Sequence, residues 1–206
     1  MSRCIKRQLL VLSLLFAGAG QAQAGQPIES LTWKIAVATT ASLIYATNPV
    51  GADRMTFEGG GGEHVGVLRI GAQWDWNDDL MDLWGFTLST YWQFDYSKWQ
   101  STKDSSQRGA NNTLGLSPVF RFTRKTGSVR PYLDTSVGVY LFSSTRVNGS
   151  QFGDAFQFSD MLGLGLLMGK RHQWGVGYKF QHYSNGSTAL PNNGINFHFL
   201  NISYEY

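Results

Sequence analysis

The chain has 206 residues, enough for one domain, with a formal net charge of +3, a single cysteine, 14% aromatic residues, 24 glycines and only 15% charged residues. Soluble globular chains carry about 25% charged residues. One cysteine excludes an internal disulfide, and the small charge gives no electrostatic footprint for nucleic acid.

The N-terminal stretch has a basic start (Arg3, Lys6, Arg7), an apolar run from Leu9 to Ala19, and Ala22-Gln23-Ala24 as a small-residue cleavage site. This is the pattern of a secretory signal peptide over residues 1–24, and its apolar run is too short to span a bilayer. Three of the 17 basic and none of the 14 acidic residues lie within it, so the exported chain keeps 14 of each sign. Cys4 leaves with it, which removes thiol chemistry and cysteine metal sites. Residues 25–50 form an N-terminal extension of unassigned role, and residues 51–206 are expected to form one domain.

From Ala52 onward, segments alternate apolar and polar residues with period two, the signature of strands with one apolar face. A weak segment covers about 52–62. Segment 65–76 groups Leu68, Ile70, Trp74 and Trp76, and segment 84–96 groups Trp84, Phe86, Leu88, Trp92, Phe94 and Tyr96. Segment 114–122 groups Leu114, Leu116, Phe120 and Phe122; segment 132–142 groups Leu133, Val137, Val139 and Leu141. Segment 156–168 groups Phe158, Leu162, Leu164, Leu166 and Met168, segment 174–180 groups Trp174, Val176, Tyr178 and Phe180, and segment 200–206 groups Leu200, Ile202, Tyr204 and Tyr206.

With scarce charge, aromatics near segment ends and small polar residues on the opposite parity, these segments predict an all-β fold: an eight-stranded antiparallel transmembrane β-barrel. Short connections (NDDLMD, RKTGSVR, GKRHQ) are expected on the periplasmic side and long ones (SKWQSTKDSSQRGA, SSTRVNGSQFGDA, NGSTALPNN) outside. GGGGEH is a short exception. A soluble β-sandwich is the competing architecture.

Segment seven continues as His182 and Ser184 on the parity of Trp174, Val176, Tyr178 and Phe180, so both side chains are expected to face lipid. Ten residues from His172 to His182 rise about 25 Å, at ~3.3 Å each and a tilt of ~40°, which places His182 near the outer edge of the hydrocarbon layer. A hairpin centred near Ala189 sets Asn196 opposite His182, and one centred near Arg171 sets Asp160 opposite it on the other side. Polar groups from three strands thus converge on one outward spot. Ser184 can be a nucleophile, His182 its base, and Asn196 or Asp160 the group that holds the imidazole. Asn185, Gly186, Ser187 and Asn192 are candidate donors to an oxyanion. Taken alone, a His and a Ser two apart are more often structural, so an inert wall stays open here.

The other candidates have plainer readings. Glu63 and His64 flank a glycine run in a loop, GGGG at 59–62 lacks the strand–loop–helix context of a phosphate loop, and His172 and His198 have no metal-ligand company. Arg146 reads as a loop residue. No metal or cofactor is expected.

His182-Tyr183-Ser184-Asn185-Gly186 and Pro191-Asn192-Asn193-Gly194-Ile195, with AQWDWND at 72–78, LSPVFRF at 116–122, FSSTRV at 142–147 and FQFSDMLGLGL at 156–166, resemble the lipid A 3-O-deacylase family, PagL. The likeness covers most of residues 52–206. It implies an outer-membrane barrel of a Gram-negative bacterium, with lipid A or lipopolysaccharide as substrate, and a serine esterase triad in which His182 and Ser184 match base and nucleophile. At 196 the family pattern has an acidic residue, usually Glu, where this chain has Asn. Tyr204 and Tyr206 resemble the C-terminal signal of outer-membrane barrels. A lipid acyltransferase and a non-catalytic barrel are the alternatives, and a homodimer is left open.

Overall fold

A barrel in lipid must put its apolar side chains outside and satisfy its polar ones within. The computed structural model of the chain, which describes residues 47–102, 110–148 and 150–206, has that inside-out arrangement. Leu200 is 71% and Val137 66% exposed, whereas Glu58, Asp95 and Asp134 are 0% exposed. A soluble sandwich would invert these values, so the wall faces a membrane. Among the described residues no helix is long and apolar enough to cross one.

The strands in chain order are β1 (Arg54–Gly62), β2 (Val65–Leu83), β3 (Phe86–Ser101), β4 (Ala110–Arg124), β5 (Arg130–Phe142), β6 (Arg146–Val147), β7 (Ser150–Gln151), β8 (Phe156–Met168), β9 (Trp174–Ser184) and β10 (Ile195–Glu205). Eight of them close an antiparallel barrel in the order β1-β10-β9-β8-β5-β4-β3-β2, and β6 and β7 form a separate small hairpin in the outer loop after β5. Residues Asp53–Tyr206 are one compact unit. Of the other unit, Met1–Ala52, residues 47–52 are described; there Ala52 N donates to Asn48 Oδ1 at 2.9 Å. The expected signal peptide and residues 25–46 lie outside the described residues.

Two expectations for the inner end need correction. NDDLMD is not a turn: β2 runs on to Leu83, with register shifts between Asp75 and Asn77 and between Asn77 and Met81. The turn is instead Trp84-Gly85, both at positive φ, and Trp84 is 90% exposed rather than part of a strand. The bulges interrupt period-two alternation, so paired backbone there looks like a polar loop. At the outer end, the glycines of GGGGEH belong to β1, and only Glu63-His64 forms the turn.

Ion pairs and aromatic rings fill the lumen. Glu58 accepts from Lys179 Nζ at 2.6 Å and from Arg69 at 3.0 Å, and Asp134 pairs with Arg121 at 2.7 Å. Buried charges are tolerated when paired in this way. Toward the outer end, Trp99 packs edge-on against Phe197 (4.6 Å between centroids) and Tyr183 (5.2 Å). Tyr183 also accepts a hydrogen bond from Arg69. Since Tyr183 lies between His182 and Ser184, this interior anchor fixes the strand that carries both.

Candidate active site

β9 turns His182 and Ser184 outward because Lys179, Gln181 and Tyr183 point inward and are buried. The ladder pairs Asn196 on β10 with His182, and Asp160 on β8 with His182 from the other side. His182 and Asn196 are half-buried and Asp160 is exposed. The imidazole Nδ1 lies 2.7 Å from Asn196 Oδ1. An amide oxygen only accepts, so Nδ1 carries the proton and Nε2 is left bare, the tautomer a general base needs. Gly194 leaves room for the ring: a Cβ built there would sit 2.8 Å from His182 Cε1 and 3.4 Å from Nε2. Ser184 lies two residues on from His182 and shares its outward parity. No hydrogen bond joins the His182 and Ser184 side chains.

The loop 185–194 is built by two asparagines. Asn185 is buried: its amide Nδ2 donates to Ala189 O at 2.7 Å, its N–H donates to Asn192 Oδ1 at 3.1 Å, and its Oδ1 accepts from Ser187 N at 3.0 Å. This corrects two expectations. The backbone N–H groups of Asn185 and Ser187 and one hydrogen of the buried Asn185 amide are engaged inside the loop, because a tight turn must satisfy its own backbone first. Gly186 N–H and Asn192 Nδ2 have no such commitment among the described residues. Gly186 lies beside Phe158, whose ring would be 3.4 Å from an added Cβ. Phe158 pairs with Ser184 across the ladder and places an apolar face next to the hydroxyl.

A family model described as lipid A 3-O-deacylase (PagL) matches residues 66–205. The chain belongs to the PagL family. The lipid A deacylase PagL of Pseudomonas aeruginosa is 29% identical over 161 residues, covering 78% of this chain and 90% of that protein. The lipid A deacylase PagL of Bordetella bronchiseptica is 35% identical over 89 residues, 43% of this chain and 47% of that protein. A solved structure described as the outer membrane enzyme PagL superposes with a TM-score of 0.66 at 27% identity, covering 74% of this chain and 99% of that one. The family and the lipid-facing wall together make this an ester hydrolase of the Gram-negative outer membrane.

For a PagL-family chain, the identity of residue 196 decides how the imidazole is held. Asn196 makes the bond to His182, and Asp160, exposed and unbonded to the ring, does not. Two neighbours of the site escape a reading of the sequence. Gly194, at φ +63°, leaves the space that the imidazole occupies. Its signal is the Asn-Asn-Gly run, which marks a turn but not what lies over it. Glu63, in the β1–β2 turn, accepts from Asn196 N–H at 3.2 Å. Its signal would have been the register between the first and last strands, which no hairpin sets. His198, by contrast, binds Tyr178 Oη through Nδ1 at 2.5 Å on the outer wall and is bonded to neither His182 nor Asn196.

Proposed function

We propose that this chain removes the acyl chain ester-linked at position 3 of lipid A, with Ser184 as nucleophile, His182 as general base and acid, and Asn196 as the residue that orients His182. The observation that carries the reading is the Nδ1–Asn196 bond of 2.7 Å on the lipid-facing wall, which leaves Nε2 free beside a strand that also turns Ser184 outward. His182 Nε2 takes the proton of Ser184 Oγ as Oγ attacks the ester carbonyl. The tetrahedral oxyanion receives Gly186 N–H and the Asn192 amide. Collapse breaks the bond to the sugar oxygen, which takes the proton from the imidazolium and leaves as the 3-hydroxyl. Water, deprotonated by the same Nε2, then releases the fatty acid from Ser184. Phe158 and the apolar wall below it receive the acyl chain. One barrel supplies every group, so a homodimer is not required by the chemistry.

Mass spectrometry of lipid A from cells expressing wild type or Ser184→Ala tests this. Loss of one acyl unit with wild type only is the expected result. A gained acyl chain would indicate an acyltransferase, and identical spectra would indicate a non-catalytic barrel.

A further inference from the structure

Asn196 orients the imidazole but brings no negative charge to balance the imidazolium that forms during turnover. We infer that Glu63 supplies it as a positioning residue, acting through Asn196; this rests on the triad reading above. Extending the β1–β10 register, in which Gly61 pairs with His198, sets Glu63 opposite Asn196, on the side away from His182. Its Oε1 accepts from Asn196 N–H at 3.2 Å. Two strand spacings of ~4.8 Å put the carboxylate within roughly 10 Å of the imidazole, about one Debye length.

The turn that carries Glu63 is built with strain. Glu63 and His64 have φ of 51° and 65° between the paired Gly62 and Val65. Two-residue turns of this hand normally take Asn-Gly, because a Cβ is disfavoured there. The strained backbone is clamped from neighbouring loops: Glu63 O accepts from Asn148 Nδ2, and His64 O accepts from Thr102 N at 2.7 Å and Thr102 Oγ1 at 2.8 Å. Asn148 is itself held by Ser101 at 3.0 Å. The preceding glycines bring the carboxylate in, since a Cβ on Gly62 would overlap the carbonyl oxygen of Asn196. Strain held by surrounding contacts is a mark of functional sites.

The titratable and charged groups around His182 are Asp160 from β8, Glu63 and His64 from the β1–β2 turn, His198 from β10 and Tyr178 from its own strand. Only Glu63 is bonded to the residue that holds the ring. Asp160 is exposed and bonded to neither His182 nor Asn196.

The test is Glu63→Gln, which keeps an acceptor for Asn196 N–H and removes only the charge. Deacylation is measured on lipid A in detergent micelles from acid to neutral pH, with heat-dependent gel mobility to report the folded barrel. The expected result is a kcat/KM lower by about fivefold, the size of one partly screened charge at this distance. In the Asn196→Asp background, where the charge sits on the orienting residue, the same substitution should change kcat/KM by less than about twofold. A Glu63→Gln rate equal to wild type, or a fall of the same size in the Asn196→Asp background as in wild type, would overturn the inference. So would loss of the folded barrel, since the amide retains the bond and a purely structural role would be all that remained. Ser184→Ala in the same assay separates the two levels: if it stays active the triad reading fails, and if it is dead while Glu63→Gln is silent only this inference fails.

Discussion

Replacing Gly194 with Ala should silence the enzyme without unfolding it. Gly194 sits at φ +63°, where an L side chain costs ~1–2 kcal/mol. The added Cβ would lie 2.8 Å from His182 Cε1, closer than carbon atoms pack, and 3.3 Å from the Tyr183 carbonyl oxygen. Tyr183 cannot retreat, because its ring is fully buried against Trp99 and Tyr140. The imidazole must therefore swing away and lose its line to Ser184. A displacement of about 1 Å at a reacting group costs on the order of a hundredfold in rate. Gly85→Ala is the control. It has φ +82° with open space around the new Cβ, at the opposite end of the barrel. It bears the same backbone cost with no collision. Initial rates of fatty-acid release should fall about a hundredfold for Gly194→Ala and stay within about twofold of wild type for Gly85→Ala. If two folded variants release fatty acid equally fast, the imidazole does not occupy the space over residue 194 and the proposed path from Nε2 to Ser184 is wrong.

Asn196→Ala removes the acceptor that holds Nδ1 and should lower kcat/KM by about a hundredfold or more, whereas Asp160→Asn should lower it by less than about fivefold; the reverse order would move the orienting role to β8. Glu58→Gln leaves Lys179 and Arg69 short of their shared carboxylate inside the lumen and should cost about 3–5 kcal/mol of stability, the usual penalty for breaking a buried pair. That loss is read as a lower midpoint in urea unfolding of the barrel in detergent, and an unchanged midpoint would mean the lumen charges do not hold the wall.

The architecture was legible because in a barrel wall burial follows parity alone. Leu162, Leu164 and Leu166, or Leu200 and Ile202, alternate with residues the lumen takes, and no tertiary contact overrides them. The convergence of Asp160, His182 and Asn196 was legible for a related reason. Two hairpins, centred on 171 and 189, are short enough to define the pairings 160–182 and 182–196 by counting. Where local counting ends, so did the reading. The β1–β10 closure joins residues at opposite ends of the chain, which is why Glu63 looked like an ordinary loop residue beside a glycine run. The bulged part of β2 failed for a local reason, since extra residues between Asp75 and Met81 break the alternation that marks a strand. Asn185 failed for a third. It has the chemistry of an oxyanion donor, but only the fold shows that its side chain is buried, with its N–H given to Asn192 and an amide hydrogen to Ala189.

The pair proposed to react, His182 and Ser184, lies on the outer wall of the barrel, so its rigidity comes from behind. On β9 the inward side chains that alternate with the outward ones are tied into the lumen. Lys179 is bonded to Glu58 at 2.6 Å, Gln181 to Ser159 at 2.6 Å and Tyr140 at 3.0 Å, and Tyr183 to Arg69. Positional precision at Ser184 and His182 is thus borrowed from a network that the substrate never meets. The bilayer performs the other duty of a cleft. It excludes water from the acyl side, aligns the substrate with its ester near the polar boundary, and reduces its search to two dimensions along the wall. A water-soluble enzyme needs a pocket because its substrate arrives in any orientation; in a membrane the lipid is already oriented, so the proposed site of His182, Ser184 and Asn196 needs only a wall that holds the three in place.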